Sequence, residues 1–173
     1  ALLETLRKFT IPLLYASSSS VYGLNTKAPF SEDDPVLHPT SLYAATKRTN
    51  ELLGETYYNL YGQRSLGFRF FTAYRPWGRP DMAYWSFTEK IHAGDPIQLY
   101  NHGNQSRDFT YVDDIVSGIL GAINPVLSMT AEVVNLGSNR RVNVRTFLSV
   151  LQQSAGRDAV IQEVENQKGD VPM

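Results

Sequence analysis

Tyr43 and Lys47 stand four residues apart in Tyr43-Ala44-Ala45-Thr46-Lys47. On a helix that spacing puts the phenol and the ammonium one above the other on one face. A free phenol ionises near pH 10, and a cation within about 4–6 Å favours the phenolate, which brings proton abstraction closer to neutral pH. Upstream, Ala16-Ser17-Ser18-Ser19-Ser20-Val21-Tyr22-Gly23 places a run of hydroxyls after an apolar segment. Hydroxyl, phenol and amine gathered at one carbon are the parts that move a proton off an alcohol such as a sugar hydroxyl. Tyrosine four before lysine is common on helices, so the surrounding elements decide whether the pair means chemistry.

The apolar run 11–16 predicts a parallel strand covered on both faces. Residues 24–40 are dense in Asn, Asp, Ser and Pro and read as a loop. Thr40 or Ser41 then caps a helix that runs to about Leu60, with Gly62 as its stop and Ala45, Leu52, Leu53 and Tyr57 among its expected buried positions. Gly54 inside that helix costs about 1 kcal/mol relative to alanine. A second strand at 65–71 makes the order strand, helix, strand, which suggests a right-handed parallel crossover. Ligands of open α/β sheets collect beyond the carboxyl ends of the strands, where the serine run and Thr72 fall.

Further on, the sequence predicts a loop over 72–83, a helix over 84–93, a strand at 97–100, a turn at 101–104 and an extended segment at 107–112. Asp113 starts a helix whose Ile115, Ile119, Leu120 and Ile123 form a core-facing stripe. A strand at 132–136 and a helix at 145–155 follow, and residues 1–9 carry helical spacing at Leu2, Leu6 and Phe9 without a capping residue.

Composition narrows the classes. Of 173 residues, 42% are hydrophobic and 19% charged, which is ordinary for a folded domain. Sixteen basic against seventeen acidic residues leave a net charge of −1, so nothing electrostatic points to nucleic acid or an anionic membrane. The absence of cysteine removes disulfides, thiolate catalysis and zinc-thiolate sites, and is compatible with a cytoplasmic location. No apolar run approaches the roughly 18 residues of a membrane span, and no secretory pattern opens the chain. His38, His92 and His102 are scattered, and no metal site is expected from them.

A strand ending in Ser-Ser-Ser-Ser-Val-Tyr-Gly, a loop and then Tyr-x-x-x-Lys resembles the extended short-chain dehydrogenase/reductase family of nucleotide-sugar epimerases and dehydratases. Residues 69–83, Arg-Phe-Phe-Thr-Ala-Tyr-Arg-Pro-Trp-Gly-Arg-Pro-Asp-Met-Ala, are similar to its UDP-glucuronate 4-epimerase branch. The resemblance covers nearly the whole chain. It implies an α/β fold: the second half of a Rossmann-like, doubly wound parallel sheet over 1–75, then part of a small α/β substrate-binding region over 76–173. It also implies NAD as cofactor, a UDP-sugar as substrate and a homodimer in the full-length protein.

By family position Ser18 polarises the sugar hydroxyl, Tyr43 is the base, and Lys47 is the cation that also holds the nicotinamide ribose, with Ser17 beside the cofactor. The family reaction passes a hydride from the sugar's C4 to NAD and back to the other face of a transient 4-keto sugar. Family dehydratases carry an Asp-Glu pair after the catalytic threonine, whereas this chain has Ser19 and Ser20, which favours epimerisation. Ser19, Thr72 and Arg79 are candidates for the substrate's acidic end, Arg107 for the diphosphate, Tyr100 for stacking on uracil and Asp170 for the ribose. Arg75 replaces the glycine of the family's Tyr-Gly-Pro segment, a residue valued for φ > 0 or close approach. No Gly-x-Gly-x-x-Gly occurs, so the chain reads as an internal fragment of a longer enzyme. A UDP-glucose 4-epimerase, another family epimerase or dehydratase, and a non-catalytic fragment stay open as alternatives.

Overall fold

β1 (Leu13–Ser18) pairs in parallel with β2 (Ser65–Phe70), and β2 in parallel with β6 (Ala131–Leu136). The computed structural model describes residues 1–165. Side chains of a strand alternate between faces, so Leu66, Phe68 and Phe70 of β2 leave one side and Ser65, Gly67 and Arg69 the other. The apolar set packs with Leu14, Val134 and Leu136 of the neighbouring strands, and with Ile119, Ala122 and Val126. The other set is buried as well, beneath α2 (Leu42–Tyr61). β2 thus has the two covered faces expected of the run 11–16, whereas in β1 itself Leu13, Leu14 and Tyr15 are half-buried and Ala16 is exposed.

The helix carrying Tyr43 begins and ends where the sequence says it does. Ser41 is the N-cap, its hydroxyl accepting from the amide of Ala44 at 3.1 Å. Gly62 closes it at φ 66°, in the left-handed region that glycine enters without a Cβ penalty. Its buried face differs from the expectation. Ala44, Glu51 and Gly54 are buried, while Leu52 and Leu53 are exposed and Ala45 and Tyr57 are half-buried. The hydrophobic spacing misled because the surface under this helix is polar: it meets Arg69, Ser65 and Tyr15 rather than aliphatic side chains. Gly54 and Gly67 make that approach possible. A Cβ on Gly54 would lie 2.9 Å from Ser65 Oγ, and one on Gly67 would lie 2.6 Å from Cζ of Tyr15.

α1 (Leu2–Phe9) precedes β1, and its Glu4 takes a hydrogen bond from the Tyr57 hydroxyl at 2.8 Å. α4 (Val112–Gly121) buries Ile115 and half-buries Ile119, but leaves Leu120 and Ile123 exposed, so the expected stripe is narrower than its spacing suggests. Residues 1–71 and 113–137 form one unit; 72–112 and the described residues from 138 to 165 form the other.

In the second unit β3 (Thr72–Tyr74) runs parallel to β5 (Ser106–Tyr111), which pairs antiparallel with β7 (Arg141–Asn143). β4 (Pro96–Tyr100) pairs in parallel with β8 (Val160–Val164). α3 (Ala83–Ala93) and α5 (Val144–Ala155) share a core of Ile91, Ile97 and Leu148. β3 lies inside the predicted loop, β7 is only three residues long, and the five-residue β8 is a strand the sequence reading does not include. Among the described residues no helix is long and apolar enough to cross a membrane.

Candidate active site

The end of β1 and the first two turns of α2 carry the Ser, Tyr and Lys of the sequence reading. Lys47 Nζ donates to the main-chain oxygen of Ala16 at 2.9 Å, which docks the helix on the end of the strand. The same ammonium sits 5.6 Å from the centre of the Tyr43 ring, one helical turn back. Tyr43 is 55% exposed, so its phenol faces outward rather than into the core. An ammonium carries three N–H donors and Ala16 takes one, so the donor set fits a sugar or ribose hydroxyl alongside Tyr43.

Ser18 ends β1 in extended geometry and caps the short 3-10 turn Ser19–Tyr22. Its hydroxyl accepts from the amide of Ser20 at 3.2 Å and donates to Ser20 Oγ at 3.1 Å. Capping fixes the Ser18 rotamer through local bonds. Ser19 is half-buried in the same turn. Ser17 departs from what was expected of it. Strand alternation sends it toward α2, where its hydroxyl, 2% exposed, donates to Glu51 Oε1 at 2.5 Å. That hydroxyl is committed to Glu51 inside the protein.

Glu51 completes a stripe with Tyr43 and Lys47, four residues apart each time. Its carboxylate accepts from Arg69 Nε at 2.9 Å, from Arg69 Nη2 at 3.0 Å and from Arg48 Nη1 at 3.0 Å. Burial pushes the Glu51 carboxyl up, but hydrogen bonds from Arg69 and Ser17, with the Arg69 charge, outweigh it and hold the group below the usual range. Burial likewise opposes the charge of Arg69, and its bonds to Glu51 and Tyr22 overcome that and raise its affinity for the proton. Sequence reasoning passed over this pair because a helical glutamate usually faces water. The repeat of the four-residue spacing was the available signal.

The second unit holds the other candidates. Thr72 opens β3 and pairs with Phe109 of β5, the strand that also carries Arg107. The Arg107 guanidinium donates to the oxygen of Ser106 at 3.0 Å and to Gln105 Oε1 at 3.4 Å. Tyr100 ends β4, with its hydroxyl 3.1 Å from Gln98 Oε1. Arg79 is exposed and forks onto Asp81. At Arg75 the main chain lies outside the left-handed region, and Trp77, two residues on, is the one that takes φ 63°. No left-handed backbone therefore calls for glycine at 75. Asp170 lies outside the described residues.

Residues 1–137 match the model of the NAD dependent epimerase/dehydratase family. The chain belongs to that family. It is 46% identical to Protein CapI of Staphylococcus aureus, covering 99% of this chain and 56% of that protein. It is 44% identical to a probable UDP-glucuronate 4-epimerase of Rhizobium meliloti, covering 92% of this chain and 52% of the relative. A crystal structure of UDP-glucuronic acid 4-epimerase from Bacillus cereus, in complex with UDP-glucuronic acid and NAD, superposes with a TM-score of 0.89 at 30% identity, over 98% of this chain and 54% of that one. The chain thus spans about half the length of these relatives. The family's enzymes depend on NAD and act on nucleotide sugars, and the Rossmann-like α/β fold is theirs.

Proposed function

We propose that the full-length protein is a UDP-glucuronate 4-epimerase, forming UDP-galacturonate. The observation that carries this is the docking of Lys47 on the end of β1, with the exposed Tyr43 one turn away on the same face of α2. The 44% identity to the Rhizobium meliloti relative and the likeness to the Bacillus cereus epimerase support the choice of sugar.

In this reading Tyr43 takes the proton of the sugar's C4 hydroxyl, and the neighbouring ammonium of Lys47 stabilises the phenolate that does so. Ser18, its oxygen held by the cap, turns its one hydroxyl proton from Ser20 Oγ to the same sugar oxygen. NAD, when bound, supplies a reversible hydride acceptor for C4. Tyr43 and Lys47 are the residues of this chain that would hold its nicotinamide ribose. Returning the proton from Tyr43 to the C4 oxygen completes the cycle, with no net oxidation and no added oxidant. Ser19, Thr72 and Arg79 are assigned to the carboxylate end of the sugar, Arg107 to the diphosphate and Tyr100 to the uracil. The first unit belongs to the NAD-binding domain, and the second to substrate recognition. A homodimer and a cytoplasmic location are part of the same reading. Leu2 and Phe9 of α1 and Leu52, Leu53 and Leu60 of α2 are exposed apolar side chains suited to a second copy, and the chain has no cysteine.

The test is incubation of the full-length protein with UDP-glucuronate alone, with products separated by anion exchange and assigned by NMR. UDP-galacturonate is expected. Conversion of UDP-glucose but not of the acid would overturn the substrate assignment.

A further inference from the structure

A buried network crosses the first unit at a single level of the sheet. Ser17, Arg69 and Asn135 are register partners on β1, β2 and β6. Ser17 donates to Glu51, and Arg69 grips the same carboxylate with two nitrogens. Arg69 also donates to the Tyr22 hydroxyl at 3.0 Å, which in turn donates to Asn135 Oδ1 at 2.7 Å. Glu51 and Arg69 are 4% and 2% exposed. Every strand of this sheet is therefore tied at the last register level before β1 reaches Ser18.

We propose that Glu51 is a positioning residue: its paired contacts with Arg69 and Ser17 fix the height of α2 on the sheet, and so hold Lys47 and Tyr43 level with Ser18. The inference rests on the catalytic reading of those three residues. Its physical basis is the difference between a fork and a greasy contact. A helix rises 1.5 Å per residue, so a slip of one residue carries bonds of 2.9–3.0 Å out of hydrogen-bond range. An apolar contact is non-directional and sets no such donor–acceptor distance. Buried ion pairs commonly stabilise no better than a well-packed apolar replacement, whereas a bidentate pair adds geometric specificity. Lys47 lies one turn from Glu51 on the same stripe, and its bond to Ala16 is the first contact a slip would stretch.

The experiment uses the full-length protein and two charge-conserving variants, Arg69→Lys, which loses the fork, and Glu51→Asp, which is shorter by one methylene. Each is characterised by kcat, KM, thermal melting and a crystal structure. Both are expected to lose kcat by roughly 10- to 100-fold with KM little changed. Both should keep a cooperative melt, with the Lys47 Nζ–Ala16 bond lengthened beyond hydrogen-bond reach. Wild-type kcat in either variant with that bond intact overturns the proposal. Failure of both variants to fold also overturns it, assigning the pair to stability alone. Should the wild type turn over no UDP-glucuronate, the functional reading fails, and the Lys47–Ala16 contact in the variant crystals still decides whether Glu51 sets the helix.

Discussion

Lys47 Nζ and the carbonyl oxygen of Ala16 are 2.9 Å apart, which fastens the Tyr43–Lys47 stripe of α2 to the strand that ends in Ser18. In the full-length protein, Lys47→Met removes both this bond and the cation beside Tyr43. The expected result is a loss of kcat of about 10²- to 10⁴-fold, the usual worth of an acid–base device. The melting temperature should move little, because the bond lies at an exposed position. Activity within a factor of two of wild type would remove Lys47 from the proposed chemistry.

The two glycines at the contact between α2 and the sheet, Gly54 in the helix and Gly67 in β2, should behave differently when replaced by alanine. At Gly67 the new methyl meets the stiff ring of Tyr15 at 2.6 Å. Overpacking of that kind costs about 1–3 kcal/mol. At Gly54 the nearest obstacle is the rotatable Ser65 hydroxyl, and alanine gains about 1 kcal/mol of helix propensity. Urea unfolding of the two variants should therefore rank Gly67→Ala well below Gly54→Ala, and equal stabilities would refute this account of the interface.

Acid should weaken the first unit through Glu51. Its folded carboxyl is held below the ordinary value of 4.5, so its contribution is complete above that pH and is lost as pH falls through the depressed folded value. The Glu51→Gln variant cannot lose what it lacks. It is expected to be less stable than wild type at pH 7, with Arg69 left buried and unpaired, yet to show a shallower fall in its urea midpoint between pH 5 and pH 3. Parallel falls in the two proteins would show that other carboxylates carry the acid transition.

At the alkaline end, burial pushes the Tyr15 phenol up to about 12, with the Glu51 charge adding to the effect. A raised folded value means stability fully present below the free phenol's ionisation near pH 10 and lost as pH rises through about 12. Ultraviolet titration of the tyrosines should show a late component that loses one phenol, titrating near pH 12, in Tyr15→Phe, while the raised Tyr22 and Tyr57 phenols remain. A Tyr15→Phe curve that superimposes on wild type would contradict the assignment.

The sequence by itself determined the local parts. Ser41 and Gly62 bound the helix because a hydroxyl cap and a residue free to enter positive φ are local requirements. The four-residue spacing set Tyr43 and Lys47 on one face, and the apolar run 11–16 marked a strand, realised from Leu13 onward as β1. Only the tertiary structure decided what lies under α2. Helical spacing of leucines pointed to Leu52 and Leu53, yet the buried position is Glu51, because the sheet face there presents Arg69, and a buried guanidinium requires a carboxylate partner. Strand alternation then separated two neighbours of identical type. Ser17 turns inward to Glu51, while Ser18 stays at the strand's end to cap the next turn, a distinction four serines in a row cannot make until the partner strand fixes their register.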